Sequence, residues 1–310
     1  MNNNSLIIPV YYNQDSIPAL LKKIEFIYNK LSQDLEVLFV VDGSPDRSYE
    51  ILRDKLPKEK YSSKIILLSR NFGELNAIRT GLELATGKYF AVMSADLQEP
   101  SELIINFFLS LKNDQIDLAV GVRESREDPF FSKLASYTFW YLYRKFIFAD
   151  IPKGGVDLFG CNKAFRDTLL KLKESNSSLI AQLFWLGFRR KEIKYKRLKR
   201  VHGTSQWNLK KKIQYMLDCV FSFTDIPIKI LSISGLIGLV IFSLLGFLTF
   251  IFKILGFVSV PGYTSIFLSI GLLAAINIFG LGVIGSYAWR AYENTKHRPL
   301  SIILKIEMFS

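Results

Sequence analysis

The sequence has very little of what zinc centres and disulfide scaffolds require. It contains two cysteines and two histidines in 310 residues. Cys161 and Cys219 lie far apart, in no metal-binding spacing, and predict no disulfide framework. His202 and His297 are too few for a histidine-rich zinc site. The polar residues 1–4 have no charged n-region, so no signal peptide is expected.

Negative charge is also scarce. The formal net charge is +12, which predicts an anionic partner such as lipid headgroups, phosphate-bearing substrates or nucleic acid. The basic residues concentrate at 189–212, where eleven Lys or Arg side chains are opposed only by Glu192. Because this stretch directly precedes a long apolar region, we expect it to attract anionic lipid and we expect no nucleic-acid partner.

Charge is absent altogether from two long segments near the C-terminus, residues 230–252 and 254–289. Pro261-Gly262 is a turn signal within the second segment. We therefore predict two helices, roughly 229–252 and 263–289, each long enough to cross a bilayer. The flanking lysines and arginines predict that the N-terminal domain and both termini are cytoplasmic. Glycines in both spans would allow close helix packing, within the hairpin or in a homo-oligomer.

The first 122 residues alternate short apolar runs with helical periodicity. Helices are predicted over 16–31 and 75–85. Strands are predicted over 5–11, 35–41, 65–68, 89–93 and 118–122. This alternation predicts an α/β domain with a mainly parallel sheet. Because ligands bind at the carboxyl ends of such strands, the candidate site consists of the polar loops 11–15, 42–46, 69–73 and 94–98.

Two of these loops are rich in oxygen ligands. Asp42-Gly43-Ser44-Pro45-Asp46 follows the second strand, and its first carboxylate could bind a base or ribose edge, although these residues also favour a tight turn. Asp96 and Gln98 follow the fourth strand and can point the same way from an extended segment. Such oxygens suit Mg²⁺ or Mn²⁺ on a diphosphate, although acidic residues also suit the start of the next helix.

Together with Arg70-Asn71-Phe72-Gly73, these motifs make the chain resemble family 2 of the nucleotide-sugar glycosyltransferases. Within that family it is similar to the polyprenyl-phosphate (dolichyl-phosphate-like) sugar synthases with a C-terminal two-helix membrane anchor. Further matching segments are Ile8–Asn13, Ala85-Thr86-Gly87, Gly121-Val122-Arg123, Arg200–Ser205 and 296–299.

The resemblance implies a GT-A-type nucleotide-binding domain and an inverting glycosyltransferase. The implied donor is a nucleotide sugar, with a UDP-hexose expected. The implied acceptor is polyprenyl (undecaprenyl) phosphate at the cytoplasmic face of the bacterial inner membrane.

The resemblance also implies roles for individual residues. Asp157, Asp96 and Arg123 would be catalytic, and Asp96 and Gln98 would bind Mg²⁺ or Mn²⁺. The nucleotide sugar would contact Pro9, Tyr11, Asn13, Asp42, Gly43, Ser44, Asn71, Gly73 and Ala95. The lipid phosphate would be bound by Arg123, Arg197, Arg200 and Ser205. Arg197 and Arg200 are selected from the basic stretch because arginine can bind phosphate in a bidentate manner.

The sequence departs from the family pattern at four positions. Two are Gln206, where lysine is common, and Ser286, where the last span often has glutamate. The family usually has paired aspartates at the first turn and Asp-x-Asp at the metal loop, and here Val41 and Ser94 replace the first aspartate of each. A catalytically impaired nucleotide-sugar-binding scaffold is therefore the alternative. A processive polysaccharide synthase is disfavoured because the Gln-x-x-Arg-Trp signature is lacking. The expected organisation is a catalytic domain, an amphipathic juxtamembrane segment, two transmembrane helices and a cytoplasmic tail, at 1–205, 206–227, 228–290 and 291–310.

Overall fold

The computed structural model describes residues 2–113, 115–124, 144, 150–152, 155–174, 177–198, 209–255 and 262–309. The chain divides into two compact units. The first comprises Met1–Lys212 and Arg298–Ser310, and the second comprises Ile213–His297. The chain therefore leaves the first unit once and returns to it at its C-terminal end.

An eight-stranded sheet lies at the centre of the first unit, in the order β7-β5-β6-β4-β1-β2-β3-β8. The strands are β1 (Asn4–Val10), β2 (Glu36–Val41), β3 (Ser62–Leu68), β4 (Tyr89–Val92), β5 (Leu118–Arg123), β6 (Val156–Asn162), β7 (Arg190–Tyr195) and β8 (Ile303–Phe309). All except β6 and β8 run parallel to one another. This GT-A-like, mostly parallel mixed sheet confirms the fold class predicted for the N-terminal domain.

Helices pack against the sheet through the apolar faces that the sequence predicts. Leu20, Ile24 and Ile27 of the first helix are fully buried. The third helix packs closely on β1, because a Cβ added at Gly81 would lie 2.4 Å from Ile7 Cγ2. The helices of this unit are α1 (Ile17–Lys30), α2 (Ser48–Lys55), α3 (Glu74–Leu84), α4 (Ser101–Asn113), α5 (Lys163–Leu169) and α6 (Leu179–Trp185), with a 3₁₀ turn at Leu56–Lys58.

The parallel strands all end at one side of the sheet, which we call the carboxyl edge. The antiparallel strands β6 and β8 begin at this edge. The segments that follow the parallel strands there start at Tyr11, Asp42, Ser69, Met93, Glu124 and Lys196. The carboxyl edge therefore brings together the loops that the sequence selects as the candidate site.

Strand β7 lies inside the basic stretch, where no strand was predicted. It pairs in parallel with β5. Arg189 Nε lies 3.0 Å from Asp117 Oδ2, and Arg190 Nη2 lies 3.0 Å from Asp150 Oδ2. Hydrogen bonding to Arg189, aided by Asn162, lowers the pKa of Asp117. Arg189 and Arg190 thus form ion pairs with carboxylates of the first unit, which the sequence did not predict.

The C-terminal residues also contribute to the sheet, although the sequence predicted only a tail over 291–310. Strand β8 pairs antiparallel with β3, and Ile66 lies opposite Ile306. Tyr49 Oη donates a hydrogen bond of 2.9 Å to Glu307 Oε1, which ties α2 to this strand.

The second unit contains most of α7 (Leu209–Phe223), together with α8 (Ile226–Ile254) and α9 (Tyr263–Thr295). Arg290 Nη2 lies 2.7 Å from Asp218 Oδ1, and Tyr287 Oη donates to the Thr224 carbonyl over 3.1 Å. A Cβ added at Gly280 would lie 3.2 Å from Leu231 Cδ1, so this glycine lets α8 and α9 approach closely.

The bounds of α8 and α9 agree with the two helices predicted from the sequence. Their character as membrane spans is less clear. Within the described residues, no single helix combines the length and hydropathy of a membrane span. Two consecutive helical segments, Met216–Phe223 and Ile226–Gly238, have that length and hydropathy only when taken together. They are bent by 74° relative to each other.

Candidate active site

Asp42 holds the loop that follows β3. Its Oδ1 accepts a hydrogen bond of 2.7 Å from the Phe72 N–H, and its Oδ2 accepts one of 2.9 Å from the Gly73 N–H. The side chain is only 2% exposed. Burial raises the pKa of Asp42, and the two N–H donors and the Arg70 charge oppose that shift. The predicted donor-binding carboxylate is therefore also the anchor of the Arg70–Gly73 loop.

Gly43 allows the loops after β2 and β3 to touch. Its φ is +58°, a conformation that costs other residues energy. A Cβ at this position would lie 2.3 Å from the Arg70 carbonyl carbon and 2.5 Å from Asn71 N. Its role in this structure is close backbone packing beside the predicted nucleotide site.

Ser44 and Asp46 connect the loop after β2 to the loop after β1. Ser44 Oγ accepts a hydrogen bond of 2.8 Å from the Tyr12 N–H and donates one of 2.6 Å to Asp46 Oδ1. The Gln14 N–H donates to Asp46 Oδ2 over 3.0 Å. Burial raises the pKa of Asp46, but hydrogen bonds from Ser44 and Ser48 outweigh it and leave the pKa below its usual value.

The loop after β1 is shaped by its own side chains. Asn13 Oδ1 accepts a hydrogen bond of 2.9 Å from the Tyr11 N–H. Tyr12 has a φ of +57° and is half exposed, and its ring meets the Tyr11 ring edge-on with 4.7 Å between centroids. Pro9 lies within β1, opposite Val40. Two aromatic rings therefore stand at the carboxyl edge beside the predicted nucleoside contacts.

The metal-loop candidates lie on a tight turn after β4. The Gln98 N–H donates to Asp96 Oδ1 over 3.2 Å, and Leu97 between them has a φ of +65°. The buried Ala95 carbonyl accepts a hydrogen bond of 2.8 Å from Ser16 Oγ, which fixes this turn to the start of α1. Asp96 and Gln98 therefore lie side by side at the carboxyl edge, but on a tight turn and not on the extended segment that the sequence predicted, because Leu97 has a left-handed conformation.

Gln98 is bound to the segment that follows β7. Arg197 Nη2 donates to Gln98 Oε1 over 2.5 Å, and the Leu198 N–H donates to the Gln98 carbonyl over 2.8 Å. Gln98 Nε2 returns a bond of 3.3 Å to the Leu198 carbonyl. Arg197, selected from the sequence as a phosphate ligand, thus contacts the metal-loop candidate.

Arg123 and Asp157 meet at the same edge through strand pairing. Arg123 is the last residue of β5 and lies opposite Tyr195 of β7. Asp157 is the second residue of β6, whose first residue, Val156, pairs with Val122. The described structure gives the backbone position of Asp157 but not its side chain. Two further candidates, Arg200 and Ser205, lie outside the described residues.

One matching motif lies at the opposite edge of the sheet. The Gly87 N–H donates to Ser5 Oγ over 2.9 Å and to Glu36 Oε1 over 3.2 Å, and the Thr86 N–H also donates to Glu36. A Cβ at Gly87 would lie 2.5 Å from Ser5 Oγ. Ala85-Thr86-Gly87 is therefore a turn of the fold that has no contact with the candidate site.

Sequence reasoning did not select Ser16 or Lys23, and it placed Asp46 in a candidate loop without giving it a role. Lys23 Nζ donates to the Glu99 carbonyl, next to the metal loop. Burial lowers the pKa of Lys23, and the carboxylates of Glu99 and Asp96 oppose that shift. Ser16 and Asp46 each lie just before a helix, which is a sequence signal for a capping or turn residue. The spacing of residues on α1 does not predict that Lys23 lies beside Glu99.

The carboxyl edge offers few protein ligands for a hard cation. Within the described residues, no group of three or more His, Cys, Asp or Glu side chains gathers as a metal site. Asp96 and Gln98 offer one carboxylate and one amide oxygen. That set fits Mg²⁺ or Mn²⁺, which take one or two protein carboxylates and complete their shell with substrate phosphates and water.

Known proteins align with this chain over most of its length. A relative in Bacillus subtilis strain 168, the uncharacterized glycosyltransferase YkcC, is 32% identical over 97% of this chain and 93% of its own length. The undecaprenyl-phosphate 4-deoxy-4-formamido-L-arabinose transferase of Aeromonas hydrophila is 31% identical over 99% of this chain and 96% of its own length.

Among solved structures, glucosyl-3-phosphoglycerate synthase from Mycobacterium tuberculosis, in complex with Mn²⁺ and UDP-glucose, aligns with a TM-score of 0.49. It is 14% identical over 71% of this chain and 77% of that chain. The model of the family described as "Glycosyl transferase family 2" matches residues 5–172. With more than half of its length matched, and with relatives that align almost end to end, this chain belongs to glycosyl transferase family 2.

Proposed function

We propose that this glycosyltransferase moves a sugar from a nucleotide sugar to a polyprenyl phosphate such as undecaprenyl phosphate, with inversion at the anomeric carbon. The observation that carries the proposal is the carboxyl edge. There, Asp42, the Asp96–Gln98 turn and the cationic side chains of Arg123 and Arg197 lie on loops of one sheet. The Aeromonas relative, named as an undecaprenyl-phosphate sugar transferase, supports this acceptor class.

The donor would bind along the loops after β1, β2 and β3. The ring of Tyr11 and the backbone around Gly43 and Asn71 lie beside the buried Asp42 carboxylate. Because Asp42 already accepts two backbone N–H groups, its main contribution is to keep the Arg70–Gly73 loop in place for the nucleoside. The remaining contacts would come from Pro9, Asn13, Ser44, Gly73 and Ala95.

Asp96 and Gln98 would hold a divalent ion on the donor diphosphate. Bound there, Mg²⁺ or Mn²⁺ would neutralise charge on the departing diphosphate. The sequence replaces the first aspartate of the family motif by Ser94, so Asp96 is the carboxylate on which the binding of this ion depends.

The acceptor phosphate would approach from the side of β5 and β7. Arg123 stands at the end of β5, and Arg197 follows β7. Guanidinium groups can bind two phosphate oxygens at once. Arg200 and Ser205 would complete the phosphate contacts.

The reaction requires little acid–base chemistry from the protein. A phosphate monoester is already ionised near neutral pH, so its oxygen can attack the anomeric carbon directly while the nucleoside diphosphate leaves. Catalysis would then rest on alignment of the two substrates and on electrostatic stabilisation of the leaving group. Asp157, near the start of β6, would orient the acceptor.

We further propose that the second unit anchors the enzyme in the bacterial cytoplasmic membrane, with α8 and α9 as a hairpin. Large apolar side chains on both helices face outward, with Leu236 64% and Ile278 70% exposed. Apolar helix surface of this extent is unfavourable in water and favourable in lipid. The amphipathic α7 would lie at the membrane surface. Glycines on both helices leave a homo-oligomer as a further prediction.

A catalytically impaired scaffold is the competing hypothesis, suggested by Val41 and Ser94. Val41 is fully buried at the end of β2 and pairs with Val10 and Leu67. A carboxylate there would lie in the core, so Val41 is a core residue in this chain. The case for impairment therefore depends on Ser94 alone.

Transfer of radiolabel tests the proposal directly. Purified protein in detergent, with Mg²⁺ or Mn²⁺, should convert undecaprenyl phosphate and one donor from a panel of nucleotide sugars into an organic-soluble, acid-labile product. Asp96→Ala should reduce the rate by at least about 100-fold. The control Asp54→Ala removes a carboxylate that is 70% exposed on α2 and should leave the rate unchanged.

Binding of nucleotide sugar without any transfer to lipid would contradict the proposal and favour the scaffold. Ser94→Asp would then be the variant in which activity should be restored.

A further inference from the structure

Three hydrogen bonds between described residues attach the segment after β7 to the predicted metal loop. Two bonds join Gln98 to the backbone of Leu198, and the third joins the Gln98 amide oxygen to the guanidinium of Arg197, at 2.5 Å. Arg197 and Leu198 are both exposed. Hydrogen bonds in contact with solvent can be exchanged for bonds to water at small net cost, so this attachment can open and close.

The Arg197 bond conflicts with the metal role of the same oxygen. The guanidinium at 2.5 Å already occupies one lone pair of this amide oxygen, and it brings a positive charge beside the predicted ion site. Like charges at this separation repel. Arg197 and a divalent ion therefore compete for Gln98 Oε1.

We infer that Arg197 is a positioning residue whose guanidinium binds Gln98 Oε1 until the donor and its metal bind. This inference rests on the proposed function. Arrival of the metal and diphosphate displaces the guanidinium from Gln98. The freed guanidinium remains at the carboxyl edge, close to the end of β5 where Arg123 stands, and becomes available to the phosphate of the acceptor. The donor thus prepares the site for the acceptor, and the substrates add in that order.

Removal of the positive charge of Arg197 should strengthen metal binding, which is the opposite of the usual effect. Loss of a positive charge near a diphosphate normally weakens nucleotide binding. Here, Arg197→Ala removes the competitor for Gln98, so Mn²⁺ should bind about tenfold more tightly in the presence of nucleotide. The neighbouring exposed Lys196 offers a matched control, because Lys196→Ala removes the same charge one residue away without touching Gln98.

The test is a titration of Mn²⁺ followed by its electron paramagnetic resonance signal, with the full-length protein and a panel of UDP, GDP, CDP and dTDP. Arg197→Ala should tighten Mn²⁺ binding and Lys196→Ala should not. Gln98→Ala should weaken it, and Arg197→Ala should give no gain when Gln98 is already alanine. Unchanged or weaker Mn²⁺ binding in Arg197→Ala, with normal binding in the parent protein, overturns the inference alone.

Failure of the proposed function gives a different result. If the parent protein binds no Mn²⁺ with any of the four nucleotides, the donor site itself is wrong and both proposals fall.

A second measurement does not depend on the metal titration. Trypsin should cleave after Arg197 slowly in the free protein and faster with Mn²⁺ and nucleotide, because the Arg197 side chain is then released from Gln98. In Gln98→Ala the two rates should be equal. Protection by Mn²⁺ and nucleotide instead would overturn the inference.

Discussion

At the scale of single residues, glycines with positive φ angles differ in what they do. Gly43 and Gly187 both have positive φ angles, +58° and +68°. A Cβ at Gly43 would meet the backbone of Arg70 and Asn71, whereas a Cβ at Gly187 would meet no atom within 4 Å. The first is required by close packing of two site loops, and the second only by its backbone conformation.

This contrast gives a matched pair of substitutions. Gly187→Ala should cost about 1 kcal/mol of unfolding free energy, since only the left-handed conformation is penalised. Gly43→Ala should cost about 3 kcal/mol or more and should weaken nucleotide binding, because the loops after β2 and β3 must separate. Chemical denaturation and nucleotide titration measure the two effects. Equal losses of stability in both variants would show that packing at Gly43 is unimportant.

At the scale of secondary structure, β8 connects the C-terminus to the site. The Ser69 N–H donates to the Ile302 carbonyl over 2.9 Å, and Thr80 and Ser301 hydroxyls lie 2.6 Å apart. Ser69 directly precedes the loop whose Phe72 and Gly73 N–H groups bind Asp42. The last strand of the chain therefore supports the loop that the donor is proposed to contact.

Removal of residues 302–310 should lower the melting temperature by at least about 5 °C. Without β8, β3 pairs only with β2 and becomes an edge strand. Nucleotide affinity should fall as well, and a synthetic 302–310 peptide should restore part of both. The control Tyr49→Phe, which removes the side-chain hydrogen bonds to Glu307 and Lys305 but keeps the strand, should have a small effect. Donor affinity unaffected by the deletion would mean that β8 stabilises the sheet without supporting the site.

At the scale of the whole molecule, the second unit is an insertion in the first. Residues on both sides of it, up to β7 and from β8 onward, belong to one sheet. A membrane segment between them must therefore cross the bilayer an even number of times, because both of its ends return to the same side. The connectivity is compatible with the proposed hairpin and with a segment that enters and leaves on one side, but not with a single crossing.

Cysteine labelling in intact cells tests this topology. In a Cys161→Ala, Cys219→Ala background, Gly262→Cys at the start of α9 should react with an impermeant maleimide from outside. Lys60→Cys, in the first unit, should react only after the membrane is permeabilised. Protection of Gly262→Cys in intact cells would contradict the hairpin and favour a segment that enters and leaves on the cytoplasmic side, as the bent pair at α7 and α8 allows.

Much of the fold and of the site could be predicted from the sequence. Apolar runs with turn signals located β1 to β5, and the rule that ligands bind at strand ends selected the loops containing Asp42, Asp96 and Gln98. These signals are local, because periodicity and strand termini are properties of a few consecutive residues. The sequence by itself thus determined the class of fold and the edge at which the site lies.

Other features were decided only by the tertiary structure. Strand β7 lies in a basic stretch that shows no strand pattern, and there Arg190 pairs with Asp150 while the preceding Arg189 pairs with Asp117, both distant in sequence. Strand β8 joins β3 across more than 230 residues, and no local pattern specifies such a pairing. Likewise, the bond between Arg197 and Gln98 joins residues 99 positions apart. Long-range pairing depends on which surfaces remain available once the core has formed, and the tertiary structure alone supplies that information.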